Sequence, residues 1–339
     1  MAVIRDVIPV FELYQPTTVD DALALLERHT TDAWVLAGGL DSMDWLKDRL
    51  KKPKVVVDLT QVKPLNGIKE AAGGGLEIGA MTTLTEVVRH PIVREKYSLL
   101  MQAAELVASP QIRNQGTIGG NVSQDTRCWY YRGGWTCYRA GGNICYADTP
   151  TAINREHAIF DADRCVAVNS SDTAPALVAL DARMVIRGPR GERVINAEDY
   201  WIGPGIDITR MNVLAPNELL VAVRIPETMA GADFYFEKVR DRQVWDFPLV
   251  NVASAIKPDK GNGNIGEMRL VVNAVAATPK RLKNVEAAVV GKPRNEETAK
   301  MAGDLAVQGA QTLRFNGYKV PLMRNLVKRA IRGVPAATT

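Results

Sequence analysis

Apolar positions recur along the chain at two spacings, and each spacing predicts an element. In residues 18–26, Ala22, Leu25 and Leu26 fall three and four apart behind Thr18 and Asp20, which predicts a capped helix. Residues 11–14 before it are extended, and Trp34-Val35-Leu36 and Val55-Val56-Val57-Asp58-Leu59 read as buried strands. Residues 43–50 between those strands read as a helix. From about Leu65 the texture changes to strand and turn, at 76–79 and 81–83, followed by helices at 84–89 and 99–107. Residues 174–182 are apolar almost throughout and fit either helix or strand. Residues 183–187 alternate as a strand before a Gly188–Gly191 turn, and residues 219–225 form a strand stopped by Pro226.

A boundary falls at residues 226–231. Beyond it come strands at 234–239, 250–257 and 268–275, a hairpin turn at 259–264, and helices at 296–313 and 322–331. The pattern predicts an α+β chain: a first subdomain over 1–60, a second over 61–226, and a small three-strand, helix-backed domain over 227–339. No repeat or low-complexity tract interrupts it. The tail after Val334 is expected to be loose.

Composition adds limits. With 46% hydrophobic and 24% charged residues, a sizeable core is possible. The net charge of +4, from 42 basic and 38 acidic residues, is too mild to imply nucleic acid or an anionic membrane. No stretch approaches the ~20 apolar residues of a membrane span. The first residues carry neither a long apolar run nor a twin-arginine pair, so a cytoplasmic setting is expected, or a periplasmic one if a signal-bearing partner exports the chain.

The chemistry concentrates in one place. All four cysteines, Cys128, Cys137, Cys145 and Cys165, lie in one short segment and are spaced C-x8-C-x7-C-x19-C. Such clustering suggests one iron–sulfur cluster, one structural zinc, or two disulfides. A reducing compartment disfavours disulfides. Structural zinc usually takes close C-x2–4-C pairs, which are missing here, whereas cluster spacings vary widely. The flanks suit a shielded cluster: Trp129, Tyr130, Tyr131, Trp135, Tyr138 and Tyr146 would exclude water, and Arg127, Arg132 and Arg139 would offset its negative charge. His157, the histidine nearby, reads as a structural hydrogen-bonding residue. Aromatics interleaved with arginines also occur on single-strand nucleic-acid surfaces. The punctuating cysteines and the mild charge speak against that here.

Two glycine segments supply the second signal. Val35-Leu36-Ala37-Gly38-Gly39-Leu40-Asp41-Ser42 ends a strand in paired glycines before a helix. Gly116-Thr117-Ile118-Gly119-Gly120-Asn121 places paired glycines beside a hydroxyl and a carboxamide. Each alone is a plain turn. Together they are what a pyrophosphate gripped from two sides requires, with exposed N–H groups and no Cβ in the way. Neither is a Walker A loop. Gly73-Gly74-Gly75 precedes a strand, so a Rossmann reading fails.

At this point a collinear set of motifs resembles a known family. VLAGGLDS (35–42), TIGGN (117–121), SSDTAPALVALDA (170–182), ELLVAVRIP (218–226) and FYFEKVRDR (234–242) occur in that order. The chain resembles, from about Val10 to about Arg332, the FAD-binding medium subunit of the molybdenum hydroxylases, the xanthine dehydrogenase and carbon monoxide dehydrogenase family. The resemblance implies a FAD fold of the vanillyl-alcohol-oxidase type, with two α+β subdomains around the flavin and a small C-terminal domain closing over it. It implies that residues 35–42 form the first pyrophosphate loop and that Thr117, Gly119, Gly120 and Asn121 form the second. Asp172 sits at an acidic flavin contact, and Leu220 and Lys238 at positions lining the isoalloxazine side. Thr82 and Thr83 are further candidates. A helix cap is the plainer role for Asp172, and a solvated charge beside Arg240 and Arg242 for Lys238.

The cysteine segment departs from the common pattern, because 48 residues (122–169) separate TIGGN from the next Ser-Asp. This resembles the subset with 4-hydroxybenzoyl-CoA reductase and the periplasmic aldehyde oxidoreductases, in which such an insert carries a [4Fe–4S] cluster on four cysteines. The spacing differs from that of the aryl-CoA reductases. The resemblance implies an electron-transfer subunit of a heterotrimer. A large molybdopterin-binding subunit would oxidise an aldehyde or aromatic compound, a small subunit would carry [2Fe–2S] clusters, and ferredoxin or another carrier would exchange electrons. No residue here reads as a general base for substrate chemistry. The rival readings are a self-contained FAD oxidase or dehydrogenase and a zinc-stapled binding module.

Overall fold

Three sheets organise the chain in a computed structural model that describes residues 7–333. The tail after Val334 lies outside the described residues. The first sheet contains β1 (Glu12–Tyr14), β2 (Ala33–Leu36) and β3 (Val55–Asp58), all parallel with β3 central. Every residue of β3 is buried, as a central parallel strand requires. Helix α1 (Val19–His29) connects β1 to β2, and the Thr18 hydroxyl caps it by accepting from the Asp21 N–H at 3.1 Å. Helix α2 (Leu40–Lys47) begins three residues before the expected start. Gly39, at φ +80°, turns the chain straight from β2 into the helix.

The second sheet is antiparallel, in the order β4-β5-β8-β6-β7. After β4 (Ile68–Glu70) and β5 (Leu76–Gly79) come five short helices: α3 (Leu84–Arg89), α4 (Pro91–Lys96), α5 (Ser98–Glu105), α6 (Pro110–Gln115) and α7 (Ile118–Ser123). The sequence pattern does not predict α4 or α6, which are each six residues long and begin on proline, too short to show a period. The TIGGN segment, expected as a turn, is the start of helix α7. One turn of helix, α8 (Trp129–Arg132), lies in the insert. Helix α9 (Thr173–Ala179) settles the ambiguous apolar run. All seven of its residues are buried, which is why no polar face marked it as a helix. Strands β6 (Arg183–Gly188), β7 (Gly191–Asn196) and β8 (Leu219–Ile225) complete the sheet.

The C-terminal sheet has four strands, not three: β9 (Asp233–Val239), β10 (Val250–Pro258), β11 (Ile265–Asn273) and the two-residue β12 (Lys280–Arg281). Helices α10 (Lys283–Val289), α11 (Glu296–Ala306) and α12 (Lys319–Arg332) back it. β12 is too short to alternate, and α10 went unpredicted. Helix α11 stops at Ala306, seven residues before the expected end, and the chain then hydrogen-bonds outward: the Gln311 N–H donates to the Ile159 carbonyl of the insert at 2.8 Å. The largest core runs from β5, α5 and α9 onto Phe236, Ala253 and Val271 of the C-terminal sheet. The α+β architecture matches the expectation. Among the described residues, no helix is long and apolar enough to cross a membrane.

Candidate functional site

The two glycine segments lie against each other. Gln115 Nε2 donates to the Gly38 carbonyl at 2.8 Å, and a Cβ on Gly38 would stand 2.4 Å from the Gln115 carbonyl oxygen. A Cβ on Gly119 would stand 2.7 Å from the Ala80 carbonyl oxygen. These two glycines answer to backbone meeting backbone, not to room for a phosphate. Gly39 answers to its left-handed φ.

The helix starts that follow differ. Thr117 caps α7, its hydroxyl accepting from the Gly120 N–H at 3.0 Å. Helix α2 starts from Gly39 with no side-chain cap. Its first-turn N–H groups have no partner inside the helix, and an anion is the partner such a terminus favours.

Side chains of both segments are tied within the protein. The Ser42 hydroxyl accepts from Trp34 Nε1 at 2.9 Å, and Asn121 Oδ1 accepts from the Ser171 and Thr173 hydroxyls at 2.6 and 2.7 Å. Asp41 Oδ1 accepts from Arg127 and Arg132 of the insert, each at 2.8 Å. Val35, Leu36, Ala37 and Leu40 are half-buried along the same edge. Sequence reasoning placed Arg127 and Arg132 beside the thiols; the structure turns both toward Asp41.

Asp172 and Lys238 form a buried ion pair at 2.6 Å. The ammonium also donates to the carbonyls of Leu106 at 3.0 Å and Asp246 at 2.6 Å, and Asn251 donates to the other Asp172 oxygen at 3.0 Å. Lys238 is therefore not a solvated charge. Asp172 precedes α9 but its carboxylate caps nothing. Burial pushes its carboxyl up, and the Lys238 ammonium pulls against that. The pair pins α9 to β9. Leu220, on β8, is packed in the main core. Thr82 bonds the backbone of Gly67, and Thr83 caps α3 in a reciprocal box with Glu86.

The four cysteines are free and line one small cavity of about 10 Å³. Tyr130, Tyr131, Tyr138 and Tyr146 complete the wall with Arg139. Trp129 and Trp135, expected as shields, are 62% and 50% exposed. Arg139 is buried; Nη2 holds Asp125 at 2.7 Å, and Nε has no hydrogen-bond partner. Burial pushes the Cys128 thiol up to about 11, and the Cys165 thiol upward too. The thiols surround a space instead of meeting at a point. Among the described residues, no group of three or more His, Cys, Asp or Glu is arranged to clasp a single ion.

Cys128 also lines a second, larger cleft of about 290 Å³ between the insert and the β9–β10 loop. Its walls include Arg127, His157, Ser170, Asp246 and Phe247. The Arg127 guanidinium lies over the Phe247 ring at 4.6 Å. The Ser170 hydroxyl is buried without a hydrogen-bond partner, so a polar group is left for a ligand to satisfy. His157 Nε2 lies 3.2 Å from Cys128 Sγ, and burial pushes the imidazole down to about 4. Sequence reasoning missed Ser170, although it opens the SSDTAPALVALDA motif, and Phe247, which lies on a remote loop with no periodic signal. His157 was visible as the histidine near the cysteines, but its contact was not.

An uncapped helix start behind paired glycines suits a phosphate-bearing cofactor. Comparison with known proteins says which. Residues 9–228 match the family described as FAD binding domain in molybdopterin dehydrogenase, and residues 234–334 match the CO dehydrogenase flavoprotein C-terminal domain. The chain belongs to the family of FAD-binding medium subunits of the molybdenum hydroxylases. It is 29% identical to the carbon monoxide dehydrogenase medium chain of Hydrogenophaga pseudoflava, covering 95% of this chain and 96% of that one. It is 34% identical to the aldehyde oxidoreductase FAD-binding subunit PaoB of Escherichia coli (strain K12), over 81% of this chain and 84% of that one. A solved structure of the Hydrogenophaga pseudoflava carbon monoxide dehydrogenase, lacking the Mo-pyranopterin moiety of its cofactor, superimposes with a TM-score of 0.76. The identity is 28%, with 96% of this chain and 98% of that chain covered.

Proposed function

We propose that this chain is the electron-transfer subunit of a heterotrimeric molybdenum hydroxylase acting on an aldehyde or aromatic compound, and that it holds FAD together with a [4Fe–4S] cluster. Its partners on this reading are a large molybdopterin-binding subunit, a small [2Fe–2S] subunit and a one-electron carrier such as ferredoxin. The setting is the cytoplasm, or the periplasm if the assembly is exported together. One observation carries the reading: Cys128 lines both the four-thiol cavity and the larger cleft, so two redox groups seated there would share a wall.

On this reading the chain's own residues would hold both groups. The uncapped start of α2 would take the pyrophosphate, beside Thr117, Gly119, Gly120 and Asn121, and the cleft with Ser170 would take the flavin end. Cys128, Cys137, Cys145 and Cys165 supply four thiolates, which must lose their protons to bind. The four tyrosines keep water from the cavity, and Arg139 offers a buried cation to a negatively charged occupant. When bound, FAD and the cluster together supply the conversion between two-electron and one-electron transfer.

The test is a metal assay and visible spectrum of the anaerobically purified protein. The expected result is releasable flavin with about four irons per chain, as one such cluster requires. Stoichiometric zinc without iron would sink the cluster assignment. Gly38→Val should abolish flavin binding, because the new side chain drives into the Gln115 carbonyl and separates the segments. Full flavin content in that variant would remove the loop assignment.

A further inference from the structure

The two cavities meet at one thiol, and that thiol has one side-chain hydrogen-bonding partner in reach. Cys128 Sγ lies 3.2 Å from His157 Nε2, at the wall between the four-thiol cavity and the larger cleft, which His157 also lines. A thiolate has no proton to give. Once Cys128 binds metal, this contact persists only with Nε2–H as donor and sulfur as acceptor.

The histidine is held for that task by its main chain. Its N–H donates to the Asn154 carbonyl at 3.2 Å, and its carbonyl accepts from Asn316 Nδ2 at 3.1 Å. Neither bond uses the imidazole. The ring is buried, and Nδ1 has no hydrogen-bond partner, so no second group competes for its orientation. The C-terminal domain thus anchors, through Asn316, the main chain that carries the ring.

We propose that His157 is a positioning residue that raises the reduction potential of the cluster by donating its Nε2–H to Cys128, the thiolate facing the flavin cleft. This rests on the cluster reading above. Reduction by one electron increases the negative charge on the ligating sulfurs, and an N–H aimed at one of them stabilises the reduced form more than the oxidised form.

The test is a redox titration of the purified protein with dithionite as the electron source, followed by electron paramagnetic resonance, for wild type, His157→Leu and His157→Gln. His157→Leu removes the donor at similar volume, and its cluster potential should shift to a more negative value at unchanged iron content. His157→Gln restores an N–H, and its potential should return toward wild type. Equal potentials in all three, with iron present, would overturn the proposal while leaving the cluster reading intact. Loss of iron in both variants would also overturn it, since His157 would then hold the cluster in place. A wild-type protein without iron would remove the cluster reading and this inference together.

Discussion

The insert and the C-terminal unit are similar in importance to the site and opposite in how they are held. The C-terminal unit has its own core, in which Val250, Val252, Ile256, Leu270 and Val272 of the sheet pack on Leu326 and Val327 of α12. The insert has no strand, and the small apolar cluster at its heart buries Tyr131 and Cys137 with Trp45, which belongs to α2. Its order comes from outside. Arg314, Tyr318 and Lys319 donate to the carbonyls of Pro150, Arg155 and Glu156 at 2.9, 3.0 and 2.9 Å, and Asn316 donates to those of His157 and Ala158. At the other end, Arg127 and Arg132 grip Asp41. A long segment without secondary structure in a well-ordered domain is usually functional. A segment with so little core also depends on whatever its thiols hold, as small metal-bound modules do.

The widest way to break this comparison is to empty the thiol cavity. Cys137→Ser should leave the insert without its central ligand. Amide exchange should then quicken by orders of magnitude across residues 128–158 while β10 and β11 stay protected, because Ile159 and Phe160 alone of the insert are packed in the C-terminal core. Equal protection in wild type and variant would mean that the insert stands without its cargo.

The next effect strikes the joint between the units. Lys238→Met strands the buried Asp172 carboxylate, and breaking one partner of such a pair costs about 3–5 kcal/mol. Denaturant unfolding should show that loss. The double variant Asp172→Leu with Lys238→Met should recover most of it, since no charge is left unpaired. A single variant within 1 kcal/mol of wild type, roughly the scale of exposed pairs, would show that the pair is not the joint.

These two cases mark how much was legible in the sequence. Strands β2, β3, β8, β9 and β10 were readable as short apolar runs bounded by polar, glycine or proline residues. Helix α9 was ambiguous because burial on all sides erases the period. The cysteines stood out by count, and all four line one cavity. The partners of Asp41 and Lys238 were not readable. Arg127 and Arg132 are 86 and 91 residues from Asp41, and nothing in local sequence says whether an arginine faces a thiol or a carboxylate. The glycines were found for one reason and serve another: Gly38 and Gly119 allow backbones to touch.

A smaller effect tests the insert's hold on the first glycine segment. Asp41→Asn keeps the shape but removes the charge that Arg127 and Arg132 share. Hydrogen bonds to charged groups contribute about 1.5–3 kcal/mol, and part of that should appear as weaker flavin affinity, since the clasp orients the start of α2. Fluorescence titration with FAD would measure it. Unchanged affinity would separate the insert from the flavin site.

The smallest effect is a pH dependence in the clamp from the C-terminal unit. Lys319 is fully buried, and its ammonium donates to the carbonyls of Glu156 and Ala274 at 2.9 and 2.7 Å. Burial pushes its pKa down to about 7 from the ordinary 10.5. Between those values the unfolded chain binds more protons than the folded one, so stability rises as pH increases through that window and is flat below it. The slope is at most about 1.4 kcal/mol per pH unit for one proton. Lys319→Met removes the titrating group, so the wild-type advantage over the variant should grow from pH 7 to pH 9. Urea unfolding of both proteins at pH 6, 7, 8 and 9 reads this directly. Parallel curves would mean that Lys319 stays charged in the fold and that its two carbonyl acceptors are enough to hold an ammonium out of water.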